Sequence, residues 1–341
     1  MKNKYDVIIV GAGPAGLSCA EVLAKGGKSV LILEKNSEVG PKICAGGLTT
    51  KVKEEKLLFL QDVDKIFYSI KLYFLKTYKK SVGHDPLIAT IDRGKLGRIM
   101  LKKAIKNGAE IEMRIRVKEI KENSIVANGQ EIKYNYLVGA DGSNSTVRRL
   151  LGIKTGKILS TLQYTIPQNI QKFKEMEYFF DSKILNGYFW IFPHKDYAII
   201  GCGYYPQNVR NNSFNLKSVF EKWLKDRRIK TDGLKIESFP INFDYQGYQF
   251  GNRFLVGDAG GFVSGLTGEG IYFAMISGKE VAKKIINPRY DCPEISRILK
   301  IKKDQENFLK LSSFFNNLLP NLGFKIMMLL FNFKYFRKML T

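Results

Sequence analysis

Three glycines near the start of the chain lie in the spacing Gly-x-Gly-x-x-Gly, between a strand pattern and a helix pattern. The segment is Gly11-Ala12-Gly13-Pro14-Ala15-Gly16, and the apolar, β-branched run 6–10 precedes it. Gly11 permits a tight turn, Gly13 lets the backbone approach a pyrophosphate, and Gly16 lets the helix pack close to the strand. The free N–H groups of the helix N-terminus would then face the phosphates. This pattern predicts that the loop binds a dinucleotide.

An acidic residue follows the second apolar run at the distance that a dinucleotide site requires. Glu34 ends the predicted strand 29–33 and is placed to bond both ribose hydroxyls. An acid there favours a free 2′-OH, as in FAD or NAD, over the 2′-phosphate of NADP. Strand, loop, helix, strand and acid together form a βαβ unit. Pro14-Ala15 within the loop is usual for FAD proteins.

Other residue types that carry chemistry give weaker patterns. The four cysteines, at 19, 44, 202 and 292, form no Cys-x-x-Cys pair, so we predict neither a metal site nor a disulfide framework. His84 and His194 are far apart and belong to no recognisable catalytic triad. The residue pattern therefore leaves the catalytic residue unknown.

Composition limits the class of protein and raises a question about partners. The chain has 341 residues, 45% of them hydrophobic, which is enough for a core and excludes a disordered chain. Lys and Arg number 55 against 32 Asp and Glu, so the net charge is +23. This excess indicates a polyanionic partner, either nucleic acid or an anionic membrane face. The N-terminus leads directly into a strand, so we expect no signal peptide and a cytoplasmic location.

The order of predicted elements indicates two interleaved domains. Strands are predicted at 65–74 and 254–256 and across the β-rich stretch 160–206, and helices at about 95–106, 215–228 and 269–286. We predict a discontinuous nucleotide-binding domain of residues 1–65, 91–155 and 250–290. A β-rich substrate domain would contain residues 66–90 and 156–249. Residues 291–341 would form a helical, basic and apolar C-terminal segment.

Further motifs extend the first one into a family resemblance. The segments 139–148, 257–261 and 265–271 follow the first loop in the order of the flavoprotein class typified by p-hydroxybenzoate hydroxylase. Within that class, Cys44-Ala45-Gly46-Gly47-Leu48 and Tyr188-Phe189-Trp190-Ile191-Phe192-Pro193 resemble the geranylgeranyl reductase family. The resemblance covers residues 1 to about 290. It implies an α/β fold in which a Rossmann-type FAD-binding domain is interleaved with a β-sheet substrate domain.

The resemblance also implies which residues contact the cofactor, FAD. Asp258 would bond the ribityl chain, and Asp141 would hold its loop near the pyrophosphate. The backbone of Gly268 and Gly270, with Ile271 beside them, would reach the pyrimidine edge of the flavin. Cys44, which is also a candidate catalytic residue, lies in a loop that would cover the flavin. The full implied set is Gly11, Gly13, Ala15, Gly16, Glu34, Cys44, Ala45, Gly47, Arg93, Val117, Asp141, Asp258, Gly268, Gly270 and Ile271.

Three aromatic residues alternate along one predicted strand and suggest the substrate. Tyr188, Trp190 and Phe192 would share one face, because side chains alternate along a strand. In the family, such rings line an apolar tunnel for an isoprenoid chain. The resemblance thus implies reduction of prenyl C=C bonds, with hydride from N5 of reduced flavin. The external electron donor, either NAD(P)H or a reduced carrier, and the oligomeric state stay undetermined.

Two other functions share part of the pattern. An FAD-dependent monooxygenase that uses O₂ on an aromatic or apolar substrate would carry the same flavin motifs. A basic nucleic-acid binder would explain the charge, but no nucleic-acid motif accompanies it, so we predict no nucleic-acid partner. In the C-terminal segment, uncharged runs are bordered by Lys325, Lys334, Arg337 and Lys338. This pattern favours peripheral binding to the anionic inner face of the cell membrane.

Overall fold

The computed structural model describes residues 2–54, 60–74, 77–184, 187–206 and 214–318. Within these ranges the strands are, in chain order, β1 (Lys4–Val10), β2 (Val30–Leu33), β3 (Gly47–Thr49), β4 (Lys65–Phe67), β5 (Ser69–Phe74), β6 (Thr77–Val82), β7 (Ile88–Thr90), β8 (Glu110–Glu112), β9 (Val117–Ile120), β10 (Ser124–Ala127), β11 (Gln130–Gly139), β12 (Ile158–Pro167), β13 (Met176–Phe180), β14 (Tyr188–Pro193), β15 (Tyr197–Tyr204), β16 (Glu237–Asn242), β17 (Gln249–Phe250) and β18 (Arg253–Leu255). The helices are α1 (Pro14–Lys25), α2 (Lys51–Glu54), α3 (Arg93–Lys106), α4 (Thr146–Leu150), α5 (Leu216–Asp226), α6 (Ile271–Ile286) and α7 (Pro293–Leu318).

A mixed sheet carries the glycine loop and combines strands from distant parts of the chain. Its main path runs β17-β18-β11-β1-β2-β8, and β1 is parallel to both β11 and β2. The β-branched residues of β1 and β2 are buried, as a strand covered on both faces requires. After β1 the chain forms α1, whose buried residues belong to the core on one face of the sheet, whereas Val147 of α4, after β11, belongs to the core on the other face. The crevice at the carboxyl ends of two such neighbouring strands is the expected ligand position.

A second, mostly antiparallel sheet has two differently covered faces. Its order is β16-β12-β15-β14-β13-β5-β6. Phe189 and Ile191 of β14 point to one face, where they belong to the same core cluster as Phe220 and Trp223 of α5. Trp190 and Phe192 point to the other face, in a different cluster. The two-residue period of the strand therefore separates a packed core from the face that lines a cavity.

One predicted strand proves to be two strands in different sheets. We predicted a single strand at 65–74, but β4 pairs with β7 in a small sheet of order β3-β7-β4, whereas β5 pairs with β13 and β6. Tyr68 lies between β4 and β5 and is half exposed. Helix α3 also begins earlier than predicted, because the Asp92 carboxylate caps it by accepting a hydrogen bond from the backbone N–H of Lys95 at 2.8 Å.

The C-terminal helices close the fold. Helix α6 lies so close to α1 that a Cβ on Gly278 would be 2.2 Å from the carbonyl oxygen of Ala15. Helix α7 is anchored by Lys302, whose Nζ donates to the carbonyl oxygens of Phe243 and Val263, each at 2.7 Å.

The predicted α/β class with interleaved sheets is confirmed, whereas the domain boundaries stay predictions. Residues 319–341 of the predicted C-terminal segment lie outside the described residues. In the described ranges, no helix combines the length and the apolar character that crossing a bilayer requires.

Candidate active site

Two connected cavities lie between the sheets. One, of about 600 Å³, surrounds the glycine loop after β1 and is called the glycine-loop cavity. The other, of about 210 Å³, lies against the second face of the antiparallel sheet and is called the aromatic cavity. Pro14, Lys42, Arg93 and Asp258 line both of them, so the cavities meet at these residues.

The three glycines of the first loop have different surroundings. Gly11 has φ +104°, and a Cβ there would be 2.5 Å from the carbonyl oxygen of Ala140. A Cβ on Gly16 would be 2.1 Å from the Gly11 carbonyl oxygen, so this glycine serves helix packing and does not line the cavity. A Cβ on Gly13 would meet no atom within 4 Å. Gly13 therefore faces open cavity at the N-terminus of α1, where a phosphate fits.

Glu34 is held rigidly at the end of β2. Its Oε2 accepts the backbone N–H of Ala12 at 2.8 Å, and its Oε1 accepts that of Asn36 at 3.0 Å. The side chain is buried and lines the glycine-loop cavity. A carboxylate fixed at this position accepts hydrogen bonds from ribose hydroxyls and repels a 2′-phosphate.

Asp141 lines the same cavity, but its carboxylate caps the N-terminus of α4. Its carboxylate accepts the N–H groups of Thr146 at 2.6 Å and Val147 at 3.1 Å, at the start of α4. Burial raises the pKa of Asp141, although these hydrogen bonds oppose the change. The next turn carries buried Arg148, whose guanidinium donates to the carbonyl oxygens of Ala259 and Asp244. Asp141 and Arg148 therefore fix the two loops that follow β11 and β18.

The junction of the cavities is charged. Asp258 follows β18 and accepts hydrogen bonds from Lys42 Nζ at 2.8 Å and Ser143 Oγ at 3.2 Å. Burial alone would raise the pKa of Asp258, but Lys42, Ser143 and Arg93 together hold it below its usual value. The Nε atom of Arg93 is buried and has no hydrogen-bond partner in the described part of the chain. The junction thus offers a fixed anion and an unused donor.

The aromatic cavity combines apolar walls with backbone from two loops. The loop 44–47 and the residues Gly268, Gly270 and Ile271 form one side. The hydroxyl of Tyr188 donates to the carbonyl oxygen of Thr267 at 2.5 Å and so holds the second loop against β14. Burial raises the pKa of Tyr188, so the phenol remains a donor. The other lining side chains are mainly rings and branched aliphatics, including Trp190, Phe192, Tyr178, Ile70 and Leu72.

The structure brings nearly all predicted site residues to these two cavities. The glycine-loop cavity is lined by Gly11, Gly13, Ala15, Glu34, Arg93, Val117, Asp141 and Asp258. The aromatic cavity is lined by Cys44, Ala45, Gly47, Arg93, Tyr188, Trp190, Phe192, Asp258, Gly268, Gly270 and Ile271. Gly16 is the exception. Their individual roles stay predictions.

Sequence reasoning missed several polar groups of the site. Glu269 lines the aromatic cavity and accepts hydrogen bonds from Thr49 Oγ1 at 2.5 Å and Lys51 Nζ at 3.2 Å. Gln163 is buried in the same wall and donates to Glu237 at 3.1 Å. His194, which the sequence pattern left without a role, is also buried and bonded at both ring nitrogens. The partners of all three residues are distant in sequence. Of the three, only Gln163 lies within a strand, β12, whose alternation could have indicated the side to which it points.

The fold and the site define an FAD-dependent oxidoreductase of the Rossmann type. More particularly, the chain belongs to the pyridine nucleotide-disulphide oxidoreductase family, whose model matches residues 5–205. The open space at Gly13, the two backbone bonds of Glu34 and the orphaned donor of Arg93 fit FAD. The FAD prediction is confirmed.

Similar proteins support the predicted resemblance. An uncharacterized protein of Methanosarcina barkeri is 35% identical, over 83% of this chain and 75% of its own. Digeranylgeranylglycerophospholipid reductase 2 of Methanothermobacter thermautotrophicus is 28% identical, over 94% of this chain and 89% of its own. The solved structure of a geranylgeranyl bacteriochlorophyll reductase-like protein from Thermoplasma acidophilum has a TM-score of 0.80 at 21% identity, and covers 95% of this chain and 90% of its own. The resemblance to the geranylgeranyl reductase family is confirmed.

Proposed function

We propose that this enzyme reduces C=C bonds of a prenyl chain, of the geranylgeranyl or polyprenyl type, on a lipid or isoprenoid substrate. One observation carries the proposal. An apolar cavity walled by Tyr188, Trp190 and Phe192 meets the glycine-loop cavity at Arg93 and Asp258. Relatives named digeranylgeranylglycerophospholipid reductase, which share 26–29% identity over most of their length, support this substrate class.

The residues of the cavity have distinct tasks in this reaction. When bound, reduced FAD supplies a hydride at its N5. The rings of Trp190 and Phe192 hold the chain of the substrate by apolar contact and exclude water from it. The Tyr188 hydroxyl fixes the loop that contains Gly268. An unactivated alkene also requires a proton, which comes from an acid of the cavity or from water. Electrons reach the site from NAD(P)H or from a reduced carrier.

Anaerobic turnover tests the proposal. The purified holoenzyme is reduced with dithionite and incubated with geranylgeranyl phosphate or a prenylated lipid, and the products are analysed by mass spectrometry. We expect each reduced double bond to add one H₂ without O₂. A monooxygenase would leave the substrate unchanged under these conditions and hydroxylate an apolar substrate when O₂ is admitted. That outcome would replace the proposed reaction with the alternative.

Two neighbouring phenylalanines of β14 give a matched pair of variants. Phe192 lines the aromatic cavity, whereas Phe189 faces α5 on the opposite side of the sheet. We expect F192L to raise KM for the prenyl substrate or to change the number of bonds reduced. F189L makes the same change in volume and should alter only stability. Equal effects of both variants on turnover would argue against the cavity as the substrate site.

We further propose that the enzyme acts in the cytoplasm as a peripheral protein on the anionic inner face of the cell membrane. The support is a lipid-like substrate class and the basic, apolar sequence of residues 319–341. A chain ending at Leu318 keeps α7 and should bind liposomes of anionic lipid less well while it retains flavin. A full-length variant in which Lys334, Arg337 and Lys338 are changed to Gln tests the contribution of the charges without shortening the chain. Unchanged liposome binding by both would remove this proposal.

A further inference from the structure

His194 connects three segments that are distant in sequence. It follows β14 and is only 1% exposed. Its Nδ1 lies 3.0 Å from Oδ2 of Asp64, just before β4, and its Nε2 lies 3.0 Å from the carbonyl oxygen of Ala45. The imidazole also stacks on the ring of Tyr197 at the start of β15, with 4.4 Å between centroids. The ring is therefore fixed in orientation.

Ala45 belongs to the loop 44–47 that lines the aromatic cavity. Gly46, the next residue, has φ +71°, and a Cβ there would be 2.8 Å from Cε1 of His194 and 2.5 Å from the carbonyl oxygen of Ile91. The loop thus rests directly on the imidazole. The residue that follows β7 also holds its backbone, because the Ile91 N–H donates to the Gly46 carbonyl oxygen at 3.0 Å.

The two hydrogen bonds of His194 need two protons between its nitrogens and their partners. A carbonyl oxygen only accepts, so Nε2 must carry a hydrogen to bond Ala45. The contact between Nδ1 and Asp64 needs a second proton, which either group can hold. The hydrogen bond to the loop therefore depends on a donor at the position of Nε2. A side chain that places no donor there leaves the Ala45 carbonyl oxygen without this partner.

Groups of neighbouring elements hold the two partners of the ring that lie outside the loop. Lys95 Nζ, on α3, lies 3.8 Å from Asp64, and Asp92 accepts a hydrogen bond from the Tyr197 hydroxyl at 3.1 Å. Burial raises the pKa of Tyr197, so its phenol remains a donor. Asp64 and Tyr197 therefore fix the imidazole independently of the loop 44–47.

We propose that His194 is a positioning residue that holds the loop 44–47 against the aromatic cavity, through a hydrogen bond from Nε2 to the carbonyl oxygen of Ala45, while Asp64 fixes the ring through Nδ1. The proposal rests on the proposed function only in that the loop borders the reaction cavity. Removing the donor at the position of Nε2 should therefore loosen the loop.

Cys44 provides a reporter on this loop. Cys19, Cys202 and Cys292 are buried, whereas Cys44 is partly exposed. The FAD-loaded full-length protein is treated with iodoacetamide at one fixed pH. The rate of alkylation of the peptide that contains Cys44 is measured by mass spectrometry. All variants are compared at this pH, because ionisation of a thiol also raises the rate of alkylation.

Replacing His194 by Gln or by Asn tests the two ring nitrogens of the imidazole one at a time. In H194Q, the amide reaches the position of Nε2 and donates to Ala45. In H194N, the amide reaches only the position of Nδ1 and leaves the Ala45 carbonyl oxygen without this partner. We expect H194N to be labelled about fivefold faster than H194Q, the effect of about one hydrogen bond. The wild type should be labelled at about the H194Q rate.

Equal labelling of H194Q and H194N would overturn the proposal. D64N and D64A retain His194 and serve as a second pair in case the histidine variants do not fold. The amide of D64N can still bond Nδ1, whereas D64A leaves the ring without this partner, so we expect D64A to be labelled faster than D64N. Equal rates for this pair would also contradict the proposal. No prenyl substrate is used, so these outcomes are independent of the proposed reaction.

Discussion

The indole of Trp190 lies against the bare backbone of Gly201, its cross-strand partner between β14 and β15. A Cβ on Gly201 would be 2.4 Å from Cζ2 of the indole and 2.7 Å from the carbonyl oxygen of Leu162. Glycine at this one position therefore lets the largest ring of the cavity wall lie flat on the sheet. The space in front of the ring stays available for a substrate.

Replacing this glycine should narrow the aromatic cavity. In G201A the methyl group displaces the indole toward the cavity, and the strain should lower the free energy of unfolding by about 1–3 kcal/mol. We expect KM to rise more for a long prenyl chain than for a short one, because the far end of the chain needs the displaced volume. Steady-state kinetics with chains of two lengths measure the difference. An equal change for both lengths would show that Trp190 does not limit the depth of the cavity.

Removing the charge of Glu34 should weaken cofactor binding. E34Q keeps the shape of the side chain but loses one charge-assisted acceptor for the Ala12 or Asn36 N–H and the negative charge at the ribose position. We expect the Kd of the apoprotein for FAD to rise about tenfold, the effect of about one such bond. Quenching of flavin fluorescence during titration measures it. E119Q, at an exposed position of β9, is the control and should bind FAD as the wild type does.

The sequence predicted those parts of the fold whose residue patterns are contiguous along the chain. The βαβ unit at the N-terminus was predictable, because β1, the glycine loop, α1 and β2 each have a contiguous pattern. The break at Tyr68 was not, because β4 is three residues long and finds its partner, β7, only after the chain has formed another hairpin. Short strands with distant partners carry no periodicity of their own.

The site shows the same limit. Alternation along β14 correctly placed Tyr188, Trp190 and Phe192 on one face, since the period of a strand is a local property. His194 could not be placed from the sequence, because its carboxylate partner, Asp64, lies 130 residues earlier. Glu269 likewise depends on Thr49 and Lys51, which only the tertiary fold brings close.

Arg148 should not be replaceable by lysine. Its guanidinium donates to the carbonyl oxygens of Ala259 at 3.2 Å, Lys154 at 3.2 Å and Asp244 at 2.9 Å. A lysine ammonium lacks this planar fork, so R148K would leave buried carbonyl groups unpaired and cost about 2 kcal/mol or more. Thermal unfolding and the flavin content after gel filtration measure the loss. R149K changes a surface neighbour and should leave the Tm nearly unchanged; a similar loss in both variants would contradict the assignment.

Asp258 should stabilise the fold at neutral pH and lose this effect in acid. Its pKa is lowered in the folded protein, whereas an unfolded aspartate titrates near about 3.9. The contribution is therefore complete above about pH 4 and disappears as the pH falls through the lower folded pKa. Denaturant unfolding of wild type and D258N should show a difference at neutral pH that shrinks in acid. D226N, at an exposed site, should show no such change. A difference that grows in acid would have the wrong sign.

The contact between Ala15 and Gly278 bears on when the enzyme is completed during synthesis. The phosphate-binding turn leaves the ribosome well before the helix that supports it from behind, because α1 and α6 are far apart in sequence. A nascent chain that ends before about residue 278 thus has its glycine loop but lacks α6, on which α1 packs. Cofactor loading should follow the synthesis of α6, and bound flavin serves as a sign that the chain has been made at least this far.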